Sequence, residues 1–433
     1  CKLNDIYNFI DYRGATPTKI TNGIPLVTAK NVKSGYIDYT IDDYISEEEF
    51  KERQQRGISK KGDILFTTEA PLGNAALADM EKFSAGQRLI TFQQYGSKNE
   101  LINYVMLMFI LSDFFQQQLY VNKTGSTVAG IKAAILKTLW IPVPPYNEQL
   151  RISNTLKSAI NLIDSISKNK EILSTSISNT KSKILDLAIR GKLVPQDPND
   201  EPASVLLERI SAEKEELIKQ GKIKRDKKES VIFKGDDNSY YEKLPDEKIN
   251  CIDKQLPFEL PDGWKWCNLS MIGTTNIGLT YRPADIDTQG IIVLRSCNIV
   301  NDRINRTDLV RVKTSIRENQ FVQKDDILIC ARNGSRSLVG KCALIPELAE
   351  KVSFGAFMAV YRTPYFSYIV HFLRSNFFRS VFDDSNSTAI NQLTQDMLKR
   401  AVVPLPPLAE QLRIVDKITE LFERLNCIEE SLN

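Results

Sequence analysis

The stretch Pro142-Val-Pro-Pro-Tyr-Asn-Glu-Gln-Leu-Arg-Ile152 decides the fold, because it returns 262 residues later as Pro404-Leu-Pro-Pro-Leu-Ala-Glu-Gln-Leu-Arg-Ile414. Eight of the eleven positions are identical. Shorter stretches repeat at nearly the same separation, such as Ser112-Asp-Phe-Phe115 and Ser375-Asn-Phe-Phe378. A duplication this long indicates one structural unit that is used twice. Between these matches the halves differ, as expected of two similar scaffolds with different targets.

Length and composition limit the class of protein. The 433 residues are 42% hydrophobic and 26% charged, which is typical of a soluble globular protein with two or more domains. The net charge of +3 says little about partners. The seven cysteines form no CxxC pair, which favours reduced thiols and a cytoplasmic location. A single histidine, His371, argues against a histidine-based catalytic triad or metal site. Leu101–Leu111 is too short to span a membrane.

Each half is predicted to begin with strands and to end with helices. The predicted strands are 24–29, 63–68 and 88–92 in the first half, and 291–295, 326–330 and 357–361 in the second. One helix is predicted after each set, at 100–120 and at 365–382, and a polar loop and the proline-rich motif follow. The fold class is therefore α/β (α+β) in two copies.

The helices that follow the prolines carry apolar residues in alternating steps of three and four, which is typical of a coiled coil. The alternative is an element of a helical bundle inside one domain. We expect the two helices to pair as an antiparallel coiled coil through Ile152, Leu156, Ile163, Ile166, Leu173, Ile177, Ile184 and Leu187 of the first and Ile414, Ile418, Leu421, Leu425, Ile428 and Leu432 of the second.

These patterns divide the chain into five segments. We expect a first domain at 1–145, a first long helix at 146–191, a linker at 192–262, a second domain at 263–407 and a second helix at 408–433. The linker contains a charged amphipathic helix and the basic run 222–228. Such a run is typical of a solvated linker, and nucleic-acid contact is the alternative.

Sequence motifs for catalysis are absent. Val143-Pro-Pro-Tyr146 resembles the Asn/Asp-Pro-Pro-Tyr/Phe motif of amino-methyltransferases, but valine cannot accept the hydrogen bond that this chemistry requires. No glycine-rich cofactor turn or phosphate-binding loop is present in the sequence. Glu49-Phe-Lys51 only faintly imitates a nuclease metal site, and the other half lacks it. We therefore predict no catalytic residues, no metal site and no cofactor in this chain.

Several motifs together resemble the specificity subunit of type I restriction–modification enzymes. They are Gly191-Lys-Leu-Val-Pro-Gln-Asp-Pro-Asn-Asp-Glu-Pro-Ala203, Leu206-Leu-Glu-Arg-Ile210, Gly263-Trp-Lys-Trp266 and the doubled Pro-x-Pro-Pro-x-x-Glu-Gln motif. The resemblance covers essentially the whole chain. The Gly-Trp-x-Trp stretch has no counterpart before Cys1, and the later part of the second helix is missing. We therefore expect the sequence to begin inside a longer protein.

The resemblance implies a function. In that family two target-recognition domains each read one part of a split, asymmetric sequence in double-stranded DNA. The paired helices hold the domains apart, with pseudo-two-fold symmetry, and dock two methyltransferase (modification) subunits. Those partners bind S-adenosylmethionine and methylate adenine, a restriction subunit can join them, and the specificity subunit itself is not catalytic. The alternatives are the recognition half of a longer single-chain restriction–methylation enzyme and a coiled-coil scaffold that does not bind DNA.

Residues that read DNA are expected at strand ends and in loops where the halves differ. In the second half, the run Ala331-Arg-Asn-Gly-Ser-Arg336 combines arginine, suited to guanine or phosphate, with asparagine, suited to adenine. The candidates are Thr28, Lys30, Asn31, Thr67, Thr68, Lys123, Ser126, Thr127 and Lys132 in the first half, and Arg295, Asn298, Arg332, Asn333, Ser335, Arg336, Ser387, Thr388, Asn391 and Gln392 in the second.

Overall fold

A computed structural model shows a two-domain protein of mixed α/β content. It describes residues 1–12, 16–40, 42–96, 101–125, 129–223, 225, 230–244, 246–383 and 392–432. The chain divides into two compact units, 1–168 and 169–433. None of the helices in these ranges is long and apolar enough to cross a membrane.

The first unit is built on a four-stranded antiparallel sheet of order β1-β7-β4-β5, beside a smaller sheet of order β3-β2-β6. The last helix, α6, continues into the second unit. The elements are α1 Leu3–Ile6, β1 Tyr7–Asp11, β2 Ile24–Val27, β3 Tyr44–Ile45, α2 Glu47–Arg53, β4 Ile64–Thr68, β5 Leu72–Leu77, β6 Ser84–Ala85, β7 Leu89–Gln94, α3 Asn103–Leu111, α4 Asp113–Val121, α5 Ala133–Leu136 and α6 Tyr146–Ile189.

The second unit contains sheets of order β12-β20-β17-β18 and β16-β13-β19, and smaller sheets β11-β21, β14-β15 and β10-β9-β8. The elements that follow α6 are α7 Ala203–Lys219, β8 Val231–Lys234, β9 Tyr240–Lys243, β10 Ile249–Cys251, β11 Lys265–Asn268, α8 Leu269–Ile272, β12 Thr274–Ile277, β13 Ile286–Leu294, β14 Ile299–Val300, β15 Arg303–Ile304, β16 Val310–Val312, β17 Ile327–Cys330, β18 Cys342–Leu344, β19 Val352–Phe354, β20 Met358–Arg362, α9 Phe366–Arg374, α10 Asn376–Asp383, α11 Gln395–Arg400, β21 Val402–Leu405 and α12 Leu408–Glu430.

The central strands β4 and β17 are buried along their whole length because both of their faces are covered. In β4, Ile64 and Phe66 belong to one core cluster, whereas Leu65 belongs to another. In β17, Ile327 and Leu328 are divided in the same way. Alternate side chains of a strand point to opposite faces, so a strand covered on both sides reads as a continuous apolar run. The predicted strands are confirmed within a few residues of their ends.

The single helices predicted at 100–120 and 365–382 are wrong, because each is broken at a serine. Ser112 separates α3 from α4, and Ser375 separates α9 from α10. Both serines have extended backbone, with φ −71° and ψ 154°. Each hydroxyl donates at 2.6 Å to the carbonyl three residues earlier, that of Phe109 or Phe372. The repeated Ser-x-Phe-Phe stretch is therefore a helix-ending motif whose final phenylalanine enters the core.

The glutamine of the duplicated motif joins the prolines to the helix that follows. Gln149 is buried, and its Nε2 donates to the carbonyl of Pro144 at 2.9 Å. Gln411 is also buried and donates to the carbonyl of Pro406 at 3.0 Å. A proline-rich turn leaves carbonyls without helical partners, and a buried amide satisfies one of them in each copy. This bond explains why the same stretch begins both α6 and α12.

Within the second unit, the last part of α6 and the start of α12 contribute to one hydrophobic core cluster. Ile184 and Ile189 share a core cluster with Ile414. Lys181 Nζ donates to Glu429 at 2.6 Å. This bond places Lys181 of α6 beside the end of α12.

The residues predicted for the seam of the coiled coil differ in burial. Ile177, Ile184, Ile414 and Ile418 are buried. Ile152, Leu156, Leu187, Leu421, Leu425 and Leu432 are partly buried. The exposed members are Ile163, Ile166, Leu173 and Ile428. The middle of α6 thus presents an apolar stripe that no described residue covers.

The expected linker contains more structure than its composition predicts. The amphipathic helix is present as α7. The sheet β10-β9-β8 follows it, and β8 lies beside β11 at the entrance to the second domain. Most of the basic run falls outside the described residues.

Candidate nucleic-acid interface

Three chain segments of the first unit meet where β4 ends. The backbone N–H of Thr68 donates to the carbonyl of Arg88 at 3.0 Å, and the N–H of Ile131 donates to the carbonyl of Thr68 at 3.0 Å. Glu69 and Gly130 form an antiparallel bridge beside these bonds. We call Glu69, Arg88 and Gly130 the first corner. Its backbone is fixed by hydrogen bonds from segments that lie far apart in the sequence.

The second unit repeats this arrangement where β17 ends. The backbone N–H of Arg332 donates to the carbonyl of Phe357 at 3.0 Å, and the N–H of Leu393 donates to the carbonyl of Ala331 at 2.7 Å. Arg332 and Gln392 form an antiparallel bridge. We call Arg332, Phe357 and Gln392 the second corner.

The two corners are equivalent positions on equivalent strands. In each unit, one member follows the central strand, one precedes the neighbouring strand, and one precedes a short helix, α5 or α11. The register of the central pair also agrees, since Ile64 faces Phe92 as Ile327 faces Tyr361. The backbone arrangement of the corner is therefore the same in both units, while the residue differs at each of its three positions.

The side chains of the first corner form an exposed ion pair. Glu69 Oε1 lies 3.0 Å from Arg88 Nε, and the side chains are 44% and 57% exposed. An ion pair this exposed contributes at most about 1 kcal/mol to stability. The Glu69 carboxylate, as an acceptor, and the Arg88 N–H groups, as donors, are therefore accessible to a ligand at the surface.

The second corner replaces this ion pair with a cation–π contact. The Arg332 guanidinium carbon lies 5.4 Å from the centre of the Phe357 ring. Phe357 is 60% exposed, although the next residue, Met358, is buried. A contact of this kind contributes about 0.5–1 kcal/mol at an exposed site. It holds the planar guanidinium against the ring at the surface.

Several predicted residues lie in the loop that follows the second corner. Asn333 Nδ2 donates to Ser296 Oγ at 3.3 Å, and Asn333 Oδ1 accepts the backbone N–H of Ser335 at 2.9 Å. Ser335 and Arg336 are exposed. The structure thus brings five of the predicted residues together at one edge of the second unit: Arg332, Asn333, Ser335, Arg336 and Gln392.

Thr67 and Thr68 are corrections to the predicted surface. Both are buried in β4. Thr67 Oγ1 accepts the backbone N–H of Asn74 at 2.9 Å, and Thr68 Oγ1 donates to the carbonyl of Arg88 at 3.2 Å. Their hydroxyls close the strand end and are not available to a base. The sequence prediction took the end of the strand as exposed, whereas β4 is buried as far as Thr68 and exposure begins at Glu69.

Asn31 and Asn298 are also corrections, because both are buried and hydrogen bonded. Asn31 Oδ1 accepts the backbone N–H of Thr28 at 3.0 Å, and Asn298 Oδ1 accepts that of Arg295 at 2.9 Å. Each Nδ2 donates to a carbonyl seven residues later, at 3.0 and 3.1 Å. The two asparagines perform one structural task in both units. The sequence did contain a signal for this structural role, because the same residue type occurs at equivalent positions in both halves.

The remaining described candidates stay at the surface in scattered positions. Thr28 donates its hydroxyl to Asn31, and Arg295 pairs with Asp308 at 2.8 Å. Lys30 and Lys132 are exposed. Exposed Lys123 lies 5.2 Å above the ring of its neighbour Tyr120. Lys132 immediately precedes α5 and is thus adjacent to the first corner. The predicted residues Ser126, Thr127, Ser387, Thr388 and Asn391 lie outside the described residues.

Sequence reasoning missed Glu69, Arg88 and Phe357. Glu69 and Arg88 are separated by the whole β4–β7 connection, and Phe357 was assigned to the first position of a strand. Aligning the halves on their strand ends would have shown that these positions differ in charge and in aromatic character.

The described residues contain no cluster of three or more His, Cys, Asp or Glu side chains that could hold a metal ion. Burial raises the pKa of the Cys330 thiol at the end of β17. Burial also lowers the pKa of His371 to about 3. At neutral pH both groups are uncharged. The corners themselves offer hydrogen bonds, charge and an aromatic surface.

A family model agrees with this duplicated arrangement. The model for the type I restriction modification DNA specificity domain matches residues 1–174 and 261–433. Among curated relatives, the EcoAI specificity subunit of Escherichia coli is 33% identical over 260 residues, which cover 58% of this chain and 41% of the relative. The EcoEI specificity subunit of Escherichia coli is 28% identical over 338 residues, which cover 65% of this chain and 53% of the relative. The chain spans about half the length of these relatives.

Solved structures show the same fold. A chain from a type I R-M system, solved to explain complex assembly and conformational transition, matches with a TM-score of 0.62 and 15% identity. That match covers 100% of this chain and 92% of the other. The HsdS subunit from Thermoanaerobacter tengcongensis matches with a TM-score of 0.51 and 15% identity, over 100% of this chain and 91% of that one.

Proposed function

Because this chain belongs to the family of type I restriction–modification DNA specificity domains, we propose that it is the DNA-recognition subunit of such a system. Each of its two domains reads one part of a split target in double-stranded DNA. The observation that carries this proposal is the pair of corners: one backbone arrangement, occurring in both units, displays Glu69 and Arg88 in one and Arg332 and Phe357 in the other.

Recognition of a base requires side chains held at a defined place. Phosphate contacts position a protein on DNA, whereas hydrogen bonds and apolar contacts to base edges select the sequence. Backbone hydrogen bonds hold each corner, so the exposed groups start from rigid positions. Differing side chains on equivalent backbone suit two domains that read different half-sites.

We further propose that the chain performs no catalysis and acts with partners. Two methyltransferase subunits, which bind S-adenosylmethionine, would methylate adenine, and a restriction subunit would complete the complex in the cytoplasm. The apolar stripe on the middle of α6 supports a partner surface, since Ile163 and Ile166 are 60% and 59% exposed. Either the paired second helix of an antiparallel coiled coil or a methyltransferase subunit would cover it.

The five segments expected from the sequence remain part of this proposal. Two recognition domains, at 1–145 and 263–407, are separated by α6, which is continuous over Tyr146–Ile189. A continuous helix fixes the spacing between two half-sites better than a flexible linker does.

Mapping of methylated adenines in host DNA tests the proposal. Cells that carry the gene should contain methyladenine in a two-part asymmetric motif, and cells that lack the gene should lose that motif. The purified chain should bind duplexes that contain the motif, with an affinity that falls as salt rises. An unchanged methylation pattern after deletion of the gene would contradict the proposal.

A further inference from the structure

The side chains at the corners allow the recognised bases to be named by their chemistry. We propose that each corner selects one guanine-containing base step of its half-site, through Glu69 and Arg88 in the first domain and through Arg332 and Phe357 in the second. This inference rests on the proposed DNA-recognition function. It assigns specificity to three residues, Glu69, Arg88 and Phe357, that the sequence alone did not single out.

The first corner presents an acceptor next to donors. Arg88 uses Nε to bind Glu69 at 3.0 Å, which leaves its two terminal amino groups to point elsewhere. Two such donors match the O6 and N7 acceptors of guanine, and a carboxylate accepts the N4 amino group of cytosine. Because the two side chains touch, they address adjacent groups. The first corner therefore selects a step that contains both guanine and cytosine.

The second corner presents donors next to an aromatic ring. Among the described residues, the Arg332 guanidinium contacts the Phe357 ring and makes no hydrogen bond. Its N–H donors are therefore available for bidentate contact with guanine, and the ring limits the orientations of the guanidinium before binding. An exposed phenylalanine edge also suits the methyl group of thymine. The second corner therefore selects guanine next to thymine.

Backbone geometry supports this assignment over an ordinary solvated surface. The carbonyl of Phe357 accepts two N–H groups, from Ala331 and Arg332, at 2.9 and 3.0 Å. The carbonyl of Arg88 accepts both the N–H and the hydroxyl of Thr68. The residues that display the side chains are thus fixed at the end of a buried sheet, which gives the precision that base recognition requires.

The test uses host cells that carry the full chain together with its methyltransferase partners. Methylated adenines are mapped for the unsubstituted chain and for two double variants, Glu69→Gln with Arg88→Gln and Arg332→Gln with Phe357→Leu. The matched control for the first is Lys61→Gln with Glu81→Gln, another exposed ion pair of the same unit, at 2.9 Å. The control for the second is Arg306→Gln, which removes an exposed arginine that pairs with Glu350.

Each double variant should relax one base step in one half-site and leave the other half-site unchanged. Discrimination at that step should fall on the order of 10- to 100-fold, as expected for loss of one bidentate contact. The control variants should keep the original motif. Thermal unfolding of the purified variants shows whether they fold. If a double variant does not, Arg88→Lys and Arg332→Lys, which keep the charge and lose the planar fork, should relax the same steps.

Other outcomes overturn the inference. A double variant that keeps its half-site unchanged, or that weakens methylation at all sites alike, would show that its corner does not select a base. An unsubstituted chain that produces no two-part motif would instead contradict the proposed function itself. The two failures are therefore distinguishable in one experiment.

Discussion

The indole N–H of Trp264 donates to the carboxylate of Glu410 at 2.9 Å, and both residues are buried. The other carboxylate oxygen accepts Nε2 of Gln196 at 3.0 Å. In the first unit the same position of the duplicated motif is Glu148, which is exposed. One acid of the motif thus belongs to a buried network, whereas its counterpart does not.

Replacement of Glu410 by alanine should lower the free energy of unfolding by about 1–3 kcal/mol, because it leaves the buried N–H of Trp264 without an acceptor. Glu148→Ala is the matched control and should change stability by less than about 0.5 kcal/mol. Urea denaturation of the two purified variants measures both effects. Equal losses would show that the Trp264 network is not what stabilises the second unit.

The stability of the protein should depend on pH through His371. Burial and nearby Arg374 lower the pKa of His371 to about 3, from an ordinary value of 6.5. Its buried Nδ1 has no hydrogen-bond partner within the described ranges. As the pH falls below about 6.5, His371 becomes protonated in the unfolded chain but stays neutral in the folded chain. The free energy of unfolding therefore decreases as the pH is lowered from 6.5 to about 3.

The variant His371→Gln should remove the contribution of His371 to the pH dependence of stability. The free energy of unfolding, measured between about pH 6 and about pH 4, should depend less steeply on pH by up to about 1.4 kcal/mol per pH unit. A slope identical to that of the unsubstituted chain would assign the titration to other groups.

Arg336 tests whether the loop after the second corner contacts phosphate. Arg336→Ala should weaken binding to all duplexes alike and reduce the dependence of log affinity on log salt by about one unit. Binding to duplexes varied one base pair at a time, at two salt concentrations, measures this. Loss confined to one base pair would instead indicate a base contact, and unchanged affinity would remove Arg336 from the interface.

Insertion of one heptad into the exposed middle of α6 should change the spacing of the target. Seven residues add about 10 Å to a helix, close to three base pairs, and keep the same face of the helix aligned. The mapped motif should keep both half-sites and gain about three base pairs between them. Unchanged spacing would show that α6 does not set the distance.

The purified chain alone should not methylate DNA, with or without S-adenosylmethionine. Val143 stands where the related methyltransferase motif has its acceptor side chain. Incorporation of labelled methyl groups into duplex DNA measures this directly. Methyl transfer by the chain without partners would contradict the prediction that the chain itself is not catalytic.

Much of the local structure follows from nearby residues. The strands around Ile64 and Ile327 are apolar runs, and the helix after Asn147 carries a regular period, so both were predictable. The helix breaks at Ser112 and Ser375 were not predicted, although the stretch repeats. A serine hydroxyl competes with the helix for a carbonyl, and apolar periodicity alone does not reveal that competition.

The candidate site depended on contacts between distant parts of the chain. Glu69 meets Arg88, and Arg332 meets Phe357, only because the strand order places their segments side by side. Thr67 was predicted to be exposed at a strand end, yet its hydroxyl accepts a backbone N–H from the next strand. The types of side chain in the sequence therefore predicted the kind of contact at the site better than they predicted which residues make it.

The sequence by itself determined the duplication, the mixed α/β class and the long helix, because these depend on repeats, local periodicity and proline. Tertiary structure alone decided which polar side chains remain exposed and which ones meet at the corners. The physical reason is that a buried donor or acceptor must be satisfied wherever the fold places it. Asn31 and Asn298 therefore use their side-chain amides to satisfy loop backbone groups, whereas Glu69, Arg88 and Phe357 remain exposed at the surface.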